Sequence, residues 1–155
     1  MKYYSLNKQS AAVGFKEATI MGQAPDKGLY FPESLPKLSE TWINSIGDKS
    51  NETIAFEVIQ PYIGNEIPED ELRHIISETV NFPSPLTQVN EKIFALELFH
   101  GPTLAFKDTG ARFMSRCLGY FAKERDEKIT VLVATSGDTG GAVAHGFYDV
   151  EGVDV

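Results

Sequence analysis

Two segments of this sequence carry residue types that could do chemistry. The first is FHGPTLAFKD, residues 99–108. A strand candidate ends, a Gly-Pro turn follows, and Lys107 arrives at the start of a helix candidate. A helix N-terminus carries partial positive charge, so an ammonium there is disfavoured. Leu104, Ala105 and Phe106 would add desolvation in the same direction. Both effects favour the neutral amine, which is the form that attacks a carbonyl to make a Schiff base. The competing reading leaves Lys107 in solvent, paired with Asp108 or Glu97. On residue types alone that bland reading is the stronger one, because a single lysine among short apolar residues is a weak signal.

The second segment is TSGDTGG, residues 135–141, between an apolar strand candidate and a helix candidate. Glycines let a backbone approach a ligand closely. The free N–H groups of a helix start, with the hydroxyls of Ser136 and Thr139, make a seat for a carboxylate or phosphate. The position beyond the carboxyl end of a strand is where open α/β folds bind ligands. Asp138 would repel an anion, so an anion must contact mainly amides and hydroxyls. The competing reading is an ordinary capped turn, with Asp138 or Thr139 as the N-cap.

The elements that must position these segments follow from periodicity. Residues 2–6 and 28–32 read as short strands, the second closed by Pro32. Residues 13–21 read as a helix ended by Gly22, and Ser39 as the N-cap of a short helix through residue 46. A helix over 52–62 carries Ile54, Ala55, Val58, Ile59 and Tyr62 on one stripe. A helix over 68–80 opens with proline and acidic residues, the start chemistry expected of a helix. Its residues Leu72, Ile75, Ile76, Thr79 and Val80 keep helical spacing, and His74 falls off the stripe, toward solvent.

The prolines at 83 and 85 break the pattern. They divide the chain into an amino-terminal segment, 1–80, and a second segment, 81–155. In the second segment strands at 86–89, 93–98, 129–134 and 153–155 alternate with helices at 109–123 and 140–148. The longer helix would turn Phe113, Cys117, Leu118 and Phe121 inward, and 129–134 reads as a fully buried strand. The alternation predicts an α/β protein: a mostly helical amino-terminal segment, then the beginning of a parallel sheet. Such a sheet needs more strands and covering helices than these. The chain therefore reads as a fragment, whose open strand edge invites self-association.

Composition sets the limits. The chain has 155 residues, 42% hydrophobic and 23% charged, as in a soluble globular protein. A net charge of −8 argues against nucleic-acid or anionic-membrane partners, which need a basic face. The single cysteine, Cys117, allows no internal disulfide and reads as a small buried hydrophobe. No metal site is expected. The first ten residues hold no signal-like apolar run, and no segment approaches the roughly 18 apolar residues of a membrane span. The default location is cytoplasmic.

The strings FHGPTLAFKD and ATSGDTGGA, in this order and separation, resemble the signatures of threonine synthases, a branch of the fold-type II pyridoxal-phosphate enzymes. KGLYFPESLP at 27–36 and IGNEIPEDEL at 63–72 resemble that family's amino-terminal region, so the similarity covers most of the chain. The resemblance implies that 81–155 is the first part of the catalytic domain. It implies that Lys107 forms the Schiff base with pyridoxal 5'-phosphate and shuttles protons. Phe106 would pack near the cofactor ring and Asp138 would lie near its phenolic oxygen, where many relatives of the wider fold type carry Asn. Ser136, Gly137, Thr139 and Gly140 would hold the substrate carboxylate. His100 and Thr103 belong to the motif without an assigned role.

The implied reaction converts O-phosphohomoserine and water to threonine and phosphate. The family's loop for the cofactor phosphate and its partner for the pyridine nitrogen lie beyond the second motif, so this chain alone is expected to be inactive. Two other readings compete: another fold-type II enzyme such as a threonine dehydratase, and a non-enzymatic α/β domain that binds an anion at 135–141.

Overall fold

A computed structural model describes residues 1–126 and 128–155, which form two units, Met1–Ser77 and Glu78–Val155. In the first unit β1 (Tyr3–Ser5) pairs antiparallel with β2 (Tyr30–Pro32), Tyr4 opposite Phe31. The turn that brings them together is organised by Asp26. Its carboxylate accepts from the Ser5 hydroxyl at 2.6 Å, the Gln9 N–H at 2.9 Å and the Gly28 N–H at 3.0 Å. The Ser5 hydrogen bond, helped by the backbone donors, holds the Asp26 carboxyl down at about 2. Gly28 is required by space, since a Cβ there would stand 2.0 Å from the Ser5 Oγ.

Four α-helices follow in chain order, with a 3-10 turn at Ile46–Asp48 between the second and third. α1 is Phe15–Met21, ended by Gly22 at φ 66°. Its N-cap, Gly14, offers no side-chain bond. The Glu66 carboxylate accepts from the N–H groups of Phe15 (2.9 Å) and Lys16 (2.6 Å) instead. α2 is Glu40–Asn44, and Ser39 caps it by accepting from the Trp42 N–H. α3 is Asn51–Ile63, capped by Ser50. Pro61 stands inside its last turn, a position the periodicity did not reveal. α4 is Glu69–Thr79; of the expected stripe Leu72, Ile75, Ile76 and Thr79 are buried, Val80 lies past the helix end and is half-buried, and His74 is exposed. Three acidic residues open this helix, complementing its dipole.

In the second unit β3 (Leu86–Gln88) and β4 (Phe94–Leu96) form an antiparallel hairpin, Thr87 opposite Ala95. This corrects the expectation that these strands begin the parallel sheet. Asn90 decides the matter, because its side-chain oxygen accepts from the N–H groups of Lys92 and Ile93 and closes a tight turn. Parallel strands cannot be joined by so short a connection.

The parallel element is smaller: β5 (Ile129–Thr130), α6 (Asp138–Phe147) and β6 (Val153–Asp154), with Ile129 opposite Val153. The buried strand expected over 129–134 is corrected too. Ladder bonds reach only as far as the Val131 N–H, which donates to the Asp154 carbonyl, and Leu132 is 91% exposed. A strand of that kind needs partners on both sides, and among the described residues only β6 pairs with it.

α5 (Asp108–Ala122) is the core of this unit. Cys117, Leu118 and Phe121 are buried as the spacing predicted, and Phe113 is half-buried. Burial pushes the Cys117 thiol up to about 12, which makes it an inert core group. The chain is a mixed α/β protein, rich in helix with small sheets. Among the described residues no helix is long and apolar enough to cross a membrane.

Candidate functional site: two helix starts at one end of the second unit

α5 and α6 run in the same direction. Ala111 meets Gly146, Gly119 meets Val150 just past α6, and Ala122 meets Gly152 further on. Each step forward on one partner is a step forward on the other. Gly146 allows the approach, since a Cβ there would lie 3.1 to 3.2 Å from Ala111. Ala105, Ala111 and Ala142 form a small buried cluster with Val143 against it, which ties the loop before Lys107 to the first turns of α6. Arg116 adds a polar clamp, donating to the Gly146 carbonyl at 2.8 Å and to the Glu78 carboxylate at 3.0 Å. The consequence for function is that both helix N-termini, with their unpaired N–H groups and partial positive charge, emerge at the same end.

Lys107 is the N-cap residue of α5, as the sequence suggested. Its side chain is exposed, with Nζ 4.8 Å from the centroid of the Phe106 ring, and among the described residues it has no ion pair. Neither proposed partner is available to it. Glu97 binds His100, Nε2 to Oε2 at 2.7 Å, and this bond together with Thr87 holds the Glu97 carboxyl below its usual range. Asp108 is 1% exposed and faces the preceding turn. The expected apolar shielding of the amine is not present in this chain: Leu104 and Phe106 are 73% and 64% exposed, and only Ala105 is buried. The turn explains this, because Leu104 adopts φ 58°, which swings its side chain away from the Ala105 cluster.

Gly137 is the N-cap of α6, with φ 150°, a backbone state that favours glycine. Neither Asp138 nor Thr139 caps the helix, so that reading of the turn is corrected. The first helical bond runs from the Gly141 N–H to the Gly137 carbonyl. By helix geometry the N–H groups of Asp138, Thr139 and Gly140 then point out of the helix end. Ser136, Gly137 and Asp138 are exposed, and Thr139 and Gly140 are half-buried. Gly140 leaves room for Thr135, whose Cγ2 would stand 2.4 Å from an added Cβ.

The structure also gives roles to residues the sequence left without one. His100 pairs with Glu97 and stacks on Phe99, ring centroids 4.7 Å apart. Thr103 donates its hydroxyl and its N–H to Asp108. Asp108 itself is the organising residue that sequence reasoning missed. The available signal was an acidic residue at the first helical position, directly after the lysine.

Known proteins resemble this chain along its whole length. The sequence model of the family described as "Threonine synthase N terminus" matches residues 2–80. Threonine synthase of Escherichia coli is 42% identical over all 155 residues of this chain, and that of Haemophilus influenzae 43%. In each case the matched part is 36% of the relative. The crystal structure of PLP-bound threonine synthase from Brucella melitensis superposes with a TM-score of 0.93 at 38% identity, covering 99% of this chain and 34% of that one. The chain belongs to the threonine synthase N-terminus family. It spans about a third of the length of the curated relatives it matches.

Proposed function

We propose that this chain is the amino-terminal third of a pyridoxal-phosphate-dependent threonine synthase, with 1–80 as the family's amino-terminal segment and 81–155 as the first part of the catalytic domain. The observation that supports it best is Lys107, an accessible amine with no ion pair among the described residues, at the N-terminus of α5 on the end it shares with the glycine-bearing start of α6. Those residues suit the cofactor: a lysine free to bond its aldehyde, and beside it a turn opened by Gly137 and Gly140. When bound, pyridoxal phosphate supplies an electron sink for carbanions.

This chain's residues do the rest. Lys107 holds the cofactor and, once released by substrate, moves protons. The outward N–H groups at 138–140, with Ser136, Gly137, Thr139 and Gly140 forming the loop, hold the carboxylate of O-phosphohomoserine. Asp138 would serve the phenolic oxygen of the bound cofactor and Phe106 would pack near its ring. The products are threonine and phosphate.

The groups for the cofactor phosphate and the pyridine nitrogen lie in the remaining two thirds of the enzyme, so this chain alone is inactive. Left alone, it self-associates through its open strand edges. The enzyme works in the cytoplasm. The test is Lys107→Ala in the complete enzyme, assayed with O-phosphohomoserine and scanned for the absorbance band of lysine-bound cofactor. Loss of both is expected, with the fold retained. A variant that keeps the band refutes the reading.

A further inference from the structure

We propose that Asp108 is a positioning residue that sets where Lys107 stands, acting through the turn before the lysine; this rests on the reading of Lys107 given above. A buried carboxylate is costly unless its oxygens are hydrogen-bonded. Asp108 is 1% exposed, and its donors come from one place. Oδ1 accepts from the Thr103 hydroxyl at 2.6 Å. Oδ2 accepts from the N–H groups of Thr103 at 3.0 Å and Ala105 at 3.4 Å.

These donors flank Leu104, whose φ of 58° is a left-handed state that a leucine adopts only under constraint. Leu104 is 73% exposed, so packing of its own side chain does not hold it there. The carboxylate does, from both sides. Gly101 completes the seat, because a Cβ there would lie 2.4 Å from Oδ2. Two turn bonds close the same ring: the Leu104 N–H donates to the Gly101 carbonyl and the Asp108 N–H to the Ala105 carbonyl, both at 3.1 Å.

Lys107 lies inside that ring, between Ala105 and Asp108. Its carbonyl is in turn fixed by the Ala111 N–H at 2.9 Å. The backbone of Lys107 is therefore held at both ends, while its amine lies 4.8 Å from the centroid of the Phe106 ring. By spending its oxygens on the turn, Asp108 is no counter-ion to the neighbouring amine. A carboxylate one residue from the lysine thus orients the base without neutralising it.

The test is a double-mutant cycle in the complete enzyme: D108N, T103V and the pair, with T103S and Lys107→Ala as controls. The reading is the rate at which added pyridoxal phosphate becomes lysine-bound in apoenzyme, followed by absorbance, with thermal stability measured alongside. Asn keeps the shape but removes the charge, and its N–H faces the Thr103 hydroxyl, which must turn from donor to acceptor. The rate should fall roughly tenfold in D108N, the low end for bonds to a charged acceptor, and roughly threefold in T103V, which keeps the carboxylate and its two N–H donors. The pair should be no slower than D108N, since both changes break the same bonds. T103S should react as wild type.

A D108N protein that loses stability yet binds at the wild-type rate shows a merely structural role and overturns the proposal. Strict additivity of the two changes overturns it as well. If D108N does not fold, T103V and T103S decide: slow and normal support it, both normal overturns it. A band that survives Lys107→Ala refutes the reading of Lys107 itself, and this role with it.

Discussion

Replacing Gly101 with alanine adds one methyl to the most crowded point of the Lys107 turn. The glycine is not needed for its backbone angles, which lie outside the left-handed region, so the change tests space alone. The added Cβ would stand 2.4 Å from Oδ2, 2.7 Å from the Cβ and 2.9 Å from the Cγ of Asp108. None of these atoms can swing aside cheaply, because the carboxylate is buried and tied to Thr103 and Ala105. Overpacking of this kind costs about 1–3 kcal/mol. Losing one hydrogen bond to a charged acceptor costs about 1.5–3 kcal/mol.

A partial overlap of the two places the loss at roughly 2–4 kcal/mol, or about 30- to 1,000-fold in a local opening equilibrium. The single tryptophan, Trp42, lies outside residues 101–122 and does not report directly on this turn. Hydrogen exchange read by mass spectrometry over residues 101–122 does. The amide of Ala111, bonded to the Lys107 carbonyl, and its neighbours at the start of α5 should exchange faster by that factor. Protection equal to wild type would refute the claim that Asp108 is wedged against Gly101 and holds the turn.

Two further outcomes follow from features of the chain. The Asp26 carboxyl is held at about 2 in the folded state against an ordinary 3.8, so its contribution to stability is complete above pH 3.8 and is lost as pH falls through about 2. Acid titration followed by Trp42 fluorescence should show this loss, and D26N should flatten it; an unchanged profile in D26N would count against the Asp26 hub. Light scattering of this chain alone should show dimers or larger species as concentration rises into the millimolar range, and a clean monomer throughout would contradict association through strand edges.

What could be read from the sequence was what local rules determine. The α4 stripe, the Ser39 cap and the arrival of Lys107 at a helix start all follow from spacing and side-chain chemistry within a few residues. Leu104 hid the turn, since nothing in a leucine announces a left-handed backbone. Asp108 hid its role because its partners are visible only once the turn is closed. Pro61 sits inside α3, where proline ordinarily ends a helix, but near its end the missing N–H costs a single bond. The apolar run at 129–134 reads as strand by composition, yet a strand is made by its neighbours, and here pairing stops at residue 131. The residues of the 136–140 loop were identifiable by type, but the choice of Gly137 as N-cap depended on a dihedral angle no pattern encodes.

The Glu66 carboxylate that closes the start of α1 has a consequence for the order in which the chain takes shape. The two N–H groups it accepts from belong to residues 51 and 50 positions earlier. α1 is seven residues long, too short to persist in water without help, since helices below roughly a dozen residues are marginal. While the polypeptide is being synthesised, this helix has no lid until the ribosome has released the segment containing Glu66. The first helix in the sequence thus becomes permanent only after the chain beyond α3 has emerged.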